Sequence, residues 1–199
     1  MMFSAAFLIV AGAALIALLK GIGTYNRLVA GKNRVANAYS QVDVQLKRRH
    51  DLVPNLLETV KAYMAHERGT LEAVVSARAH ALRASEIAAA KPGDAPALAA
   101  MGAAEGTLST SLGRLFAVAE SYPDLKSNQN MIQLSEELTS TENKVAFARQ
   151  GFNDSVMQNN VAVESFPGVL LAGAFGFKRS ELLQPISREA EREVPAVKF

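Results

Sequence analysis

Residues 25–53, YNRLVAGKNRVANAYSQVDVQLKRRHDLV, set Tyr25, Leu28, Val35, Tyr39, Val42, Leu46 and Val53 in steps of three and four, with Lys32 and Arg49 standing in the gaps. Steps of that size return to one face of a helix, so the stretch predicts a long helix with a narrow apolar seam that must be buried. The rule recurs in Leu98, Met101, Leu108, Leu112, Leu115, Ala119 and Tyr122, interrupted at Glu105, and again in Met131, Leu134, Leu138, Val145, Ala148 and Phe152. Leu57, Val60, Met64, Leu71 and Val74, between Asn55 and about Ala88, follow a similar pattern in a segment richer in alanine. No stretch alternates with period two, as a half-buried strand would. The predicted fold class is all-α.

Three breaks separate the helices. Lys91-Pro-Gly-Asp94 is a turn, because Pro and Gly do not continue a helix there. Tyr122-Pro-Asp-Leu-Lys-Ser127 is another, with Ser127 or Asn128 placed to cap the helix that follows. The third lies at His50–Pro54. Pro54 suits the first turn of a new helix, but it could equally kink a continuous one. A reversal there is the favoured expectation, since four seams of comparable length then pack as an antiparallel four-helix bundle.

Upstream of the seam, Met1 to Leu19 contain no charged side chain, and Lys20 is the first. Nineteen helical residues reach ~28 Å, about the hydrocarbon thickness of a bilayer. A cleaved signal peptide would carry a basic n-region, a shorter apolar core and a small-residue cleavage site, and this segment has no such pattern. From Lys20 to His50 there are seven basic residues and one acid, Asp43. Such an excess beside a membrane helix is retained on the cytoplasmic side. The expectation is an uncleaved transmembrane anchor over 1–20, N-terminus outside, with a helical bundle over 21–165 in the cytoplasm. The small-residue stripe Ala6, Ala13 and Ala17 is a candidate packing face for anchors in a homo-oligomer.

The chain has 199 residues and no cysteine, which excludes disulfides, thiolate chemistry, cysteine-held metals and lipid on sulfur. Residues 1–100 carry twelve basic and seven acidic groups, and residues 101–199 nine and twelve. A basic membrane-proximal half suits anionic headgroups. It is a poor nucleic-acid signature, lacking interleaved aromatics, so nucleic acid is not an expected partner. His50, His66 and His80 form no HExxH and read as solvated or capping residues rather than metal ligands. Glu136 and Glu137 are adjacent and point ~100° apart on a helix, so they make no facing acid/base pair. No GxSxG, SxxK or phosphate loop is present. No catalytic residue, metal or cofactor is expected, and the chain reads as a non-enzyme.

Two candidate contact regions remain. Lys47, Arg48 and Arg49 form the densest charge cluster, either a solvated helix end, with Asp43 and Asp51 four residues from Lys47, or a contact for an acidic partner. Phe166-Pro-Gly-Val-Leu-Leu-Ala-Gly-Ala-Phe-Gly-Phe177 is uncharged, too short to span a bilayer and closed by Lys178-Arg179. In an up-down bundle this segment, 166–178, emerges at the membrane end. Phe166, Val169, Leu170, Leu171, Phe175 and Phe177 are then candidates for membrane or oligomer contact, against the alternative of ordinary core. Residues 179–199 are expected to be a flexible charged tail.

Three blocks, YNRLVAGKNRVANAYSQVDVQLKRRHDLVPNLLETVKAYMAHE from Tyr25, ESYPDLKSNQNMIQLSEELTSTENKVAFARQ from Glu120 and VESFPGVLLAGAFGF from Val163, resemble the signature blocks of the LemA family of bacterial membrane proteins. The resemblance covers Tyr25 to Phe177. It departs from the family at Gly151 and Asn159, where relatives tend to carry aromatics, and at Val169, where they often have Asn. It implies a single-pass protein of the bacterial cytoplasmic membrane, N-terminus out, with a cytoplasmic helical bundle. Members have been linked to envelope stress and membrane organisation, and their genes often neighbour those of membrane metalloproteases. The leading expectation is a membrane-anchored, self-associating scaffold whose partners are phospholipid and copies of itself. The alternative is an adaptor or regulator of a membrane metalloprotease.

Overall fold

The first seam runs on through Pro54. In the computed structural model, which describes residues 2–183 (side chains from residue 7), one helix, α1, spans Met2–Lys61. The reversal expected at His50–Pro54 is therefore corrected: the chain turns back only at residues 62–67, where Met64 N–H and Glu67 N–H donate to the carbonyls of Val60 and Met64. Proline deprives the helix of one hydrogen bond, the one His50's carbonyl would have accepted. That carbonyl is satisfied from another helix, because Arg78 Nε donates to it at 2.7 Å. Continuing the helix also keeps Val53, Leu56 and Val60 in phase with Leu46, and all four are at most 1% exposed.

After α1 come α2 (Arg68–Ala90), α3 (Ala95–Ala119), a single turn α4 (Pro123–Lys126), α5 (Gln129–Glu164) and α6 (Gly168–Phe175), with no strand among the described residues. The α2–α3 turn uses Gly93 at φ +90°, a conformation that side chains with a Cβ resist. Asp94 then caps α3, accepting from Ala97 N–H at 3.2 Å. Of the two candidate caps for α5, Asn128 does the work, accepting from Asn130 and Met131 N–H at 2.9 and 3.2 Å.

α1 pairs antiparallel with α5 along its length, and α2 with α3. The two pairs close into a four-helix bundle on shared seams, with Val53, Val60, Leu108, Leu115, Leu125 and Leu138 in the cluster far from the anchor. Tyr39 meets Phe152 edge-on, ring centroids 5.8 Å apart, in the next cluster. The lengths do not match: α5, with 36 residues, is ~54 Å long, while α2 and α3, with 23 and 25, are ~35–38 Å. The pairs are level at the distal turns, so α1 and α5 overshoot toward the anchor by about 17 Å. α6 covers this overshoot, packing on both helices with Ala172 buried against Leu28 and Val163.

Beyond α6 the chain turns at Gly176 and runs back along α5. Asn160 exchanges two hydrogen bonds with the backbone of Ser180, both 2.9 Å. Asn153 does the same with Leu183, at 2.8 and 3.0 Å. Three extended residues span ~10 Å. Seven helical residues rise about as far, which is why asparagines a heptad apart meet backbone amides three apart. Leu183 is 3% exposed and completes the cluster holding Val35, Tyr39, Ala88 and Leu98. The tail expected to be free from residue 179 is thus held through Leu183, and the rest of that expectation, on 184–199, lies outside the described residues.

A Cβ on Gly168 would fall 2.1 Å from the carbonyl oxygen of Ala162, so only glycine lets α6 start there. Gly168→Ala should cost ~1–3 kcal/mol of α6 docking. Limited proteolysis should then cut within 166–183 while circular dichroism of the bundle stays near wild type. Unchanged protease resistance would show that α6 is held in some other way.

Candidate functional site

The cluster at the end of the first seam divides sharply. Lys47 and Arg48 are exposed, and Lys47 pairs with Asp43 at 3.0 Å, as their four-residue spacing predicts. Arg49, expected to be a partner contact, is instead 3% exposed, and His50, expected to be solvated or capping, is 1% exposed. Both turn onto Glu105 of α3, itself 1% exposed. Arg49 Nη1 donates to Glu105 Oε2 at 3.1 Å and Nη2 to Ser109 Oγ at 2.7 Å. His50 Nε2 donates to Glu105 Oε1 at 2.7 Å, and Ser85 Oγ reaches the same oxygen at 3.4 Å. Glu142 of α5 approaches Arg49 at 3.6 Å from the solvent side. All four long helices therefore contribute to one charge centre. Its signal was present in the sequence: Arg49 and Glu105 are charged residues standing at seam positions of two helices, which makes each the other's natural partner. His50 Nδ1 is buried without a hydrogen-bond partner among the described residues.

Nearby, Tyr39 donates to Met101 Sδ at 3.3 Å. Burial, reinforced by Asp43 and then Glu105, pushes its phenol well above the ordinary value, so it remains a donor. His66 and His80 are exposed, and no group of three His, Asp or Glu comes together among the described residues.

The uncharged C-terminal segment lies at the anchor end of the bundle. Phe166 is 81% exposed, and Val169, Leu170 and Phe175 also face outward. Leu171 and Phe177 lean inward on Leu28, Val163 and Ala172, so the six candidate residues split between an outer face and a packing face. Tyr25 joins α1 to this segment, its ring 4.9 Å from Phe175 and 5.8 Å from Phe177, both edge-on. An apolar groove of about 440 Å³ opens between α1 and α6, lined by Ala17, Leu18, Gly21, Ile22, Tyr25, Leu171 and Phe175. Ala13 and Ala17 of the anchor stripe are exposed, while Ala6 lies outside the described side chains. Sequence reasoning missed Phe147, which stands 74% exposed in mid α5. Its place outside the seam was the available signal.

The family model described as "LemA family" matches residues 38–199. The chain belongs to the LemA family. Among its relatives is the magnetosome protein MamQ of Magnetospirillum gryphiswaldense, 28% identical over 172 residues, or 79% of this chain and 63% of that protein. Magnetosome proteins MamQ 1 and MamQ 2 of Paramagnetospirillum magneticum are each 26% identical over 175 residues, or 80% of this chain and 64% of theirs. The chain therefore spans a little under two thirds of the length of these relatives. Taken with α1, the one helix among the described residues long and apolar enough to cross a membrane, the relatives support a membrane-associated helical protein.

Removing one partner from a buried charge pair strands the other, at ~3–5 kcal/mol. Glu105→Ala should accordingly lower the melting temperature by roughly 6–20 °C. The pair Arg49→Met with Glu105→Gln removes both charges and keeps an acceptor for His50, so it should recover most of that loss. If the single variant melts like wild type, the carboxylate is not the organising partner.

Proposed function

We propose that this LemA-family protein is a membrane-anchored, non-enzymatic scaffold that self-associates at the cytoplasmic face and organises or remodels the membrane beneath which its bundle stands. The observation that carries the reading is α1 itself: one helix of 60 residues holds the apolar anchor and the main seam of the bundle, with no linker between them. At 1.5 Å per residue it is ~90 Å long. A chain built to work free of the bilayer, or on a loose tether, has no need of that continuity.

Two further features support self-association. Because α1 and α5 are antiparallel, the anchor end of the bundle gathers Arg27, Lys32, Arg34, Lys178 and Arg179, while the far end exposes Glu58, Glu72, Asp124 and Glu136. Copies staggered along their axes would set opposite charges against each other. Phe166 and the outer face of α6, with Val169 and Leu170, add contiguous exposed apolar side chains suited to such a contact. The adaptor reading draws on the family resemblance alone.

Native mass spectrometry of the full chain in mild detergent should find homo-oligomers at low ionic strength that dissociate as salt rises, since exposed charges are screened within ~8–10 Å under physiological conditions. Monomers at all salt concentrations would defeat the scaffold reading and leave the adaptor. Orientation is tested separately. The chain has no cysteine, so Leu182→Cys gives a single thiol at an exposed position. It should resist an impermeant maleimide in intact cells and react after lysis; labelling of intact cells would reverse the topology.

A further inference from the structure

The groove between α1 and α6 is open where a helix pair normally closes. Gly21 contributes no side chain to it, and a Cβ placed there meets no atom of the described residues within 4 Å. Its depth narrows the choice of occupant. Ala17 and Leu18 precede the first charge of the chain, Lys20, so one end of the groove lies within the hydrocarbon layer. Tyr25, at the other end, is six residues beyond Leu19, or about 9 Å, at headgroup depth. A water-soluble ligand does not reach the inner end, and a second bundle would have to enter the bilayer to fill it. Acyl chains are already there.

The groove's rim is cationic. At its outer end Lys178 directly follows Phe177, whose ring meets that of Tyr25 edge-on. Arg179 is held by Glu164 at 3.0 Å, whereas Lys178 has no ion-pair partner among the described residues. An apolar slot at acyl depth with an unpaired ammonium group at phosphate depth matches one molecule of the surrounding leaflet.

We infer that the groove is a site for an anionic phospholipid of the leaflet on the bundle's side, one acyl chain lying against Gly21 and Phe175 and the phosphate meeting Lys178. The inference rests on the proposed anchoring of α1 in the membrane, but not on self-association. A monomer would bind the lipid as well as an oligomer.

The chain contains no tryptophan, so Phe175→Trp places a single fluorophore in the groove wall. The full-length variant is reconstituted in phosphatidylcholine vesicles containing the same minor fraction of either dibrominated phosphatidylglycerol or dibrominated phosphatidylcholine. Quenching by the anionic lipid should exceed that by the neutral one, with an apparent enrichment of about fivefold for one nearby cation. Adding Gly21→Phe, which fills the slot without moving the backbone, or Lys178→Glu, which reverses the rim charge, should make the two lipids equivalent. Equal quenching in the parent variant would overturn the headgroup preference. Absence of quenching by either lipid, with the fluorophore shielded, would assign the groove to a second copy and overturn the lipid site. Leu171→Trp gives the same readout if Phe175→Trp fails to reconstitute. Failure of anchoring itself would appear separately, as protein that floats free of all vesicles.

Discussion

Glu105 is 1% exposed in the middle of an apolar bundle, and a carboxylate is tolerated there because Arg49 and His50 of α1 face it. Burying charges is costly, and their mutual attraction offsets that cost only when geometry is good and the remaining donors and acceptors are satisfied. Here both oxygens of Glu105 are used, Arg49 also reaches Ser109, and Arg78 satisfies the carbonyl that Pro54 leaves free on His50. A slip of α3 along α1 by one turn would move these groups ~5.4 Å apart and strand both charges in the core. Apolar seams alone do not set that register, since leucine and valine pack nearly as well one turn away. The charge centre therefore acts less as a source of net stability than as a device that makes one alignment of the helices far better than its neighbours.

Much of this was legible in the sequence. The seams named the four long helices, KPGD and Asn128 marked two of the turns, and the first nineteen residues announced the apolar end of α1. Pro54 misled because a proline is usually read as a boundary. Its tolerance depends on Arg78, which donates from a different helix 24 residues further along the chain, and local pattern cannot see that. Arg49 and His50 misled for a related reason. In a run of four consecutive basic or titratable residues the natural reading is a solvated end, and only the seam phase separates Lys47 and Arg48, outside, from Arg49 and His50, inside.

The return of the tail along α5 was not legible at all. Ser180 and Leu183 carry no signal for a fixed conformation, and Asn153 and Asn160 look like ordinary polar residues on a helix surface. The information lies in their separation. A side-chain amide sets an N–H donor beside a carbonyl acceptor, the complement of the C=O and N–H that a backbone residue presents, so it holds extended chain without regard to its side chains. Only Leu183 adds a packing preference, through its place among Val35, Tyr39 and Leu98. Gly31 shows the same dependence on a remote partner: a Cβ there would lie 2.7 Å from Oδ1 of the buried Asn159, so the glycine on α1 makes room for the amide on α5.

The continuity of α1 has a mechanical result. Membrane helices tilt by ~20° on average, and by more where the bilayer is thinner than the apolar stretch. From Leu19 to Lys61 the helix rises ~63 Å. A tilt of ~20° at the anchor therefore carries the far end of the bundle about 20 Å sideways, roughly the width of two packed helices. On the proposed anchoring, local bilayer thickness is translated into lateral reach, and neighbouring copies of a self-associating scaffold would meet or miss one another according to the lipid in which each is rooted.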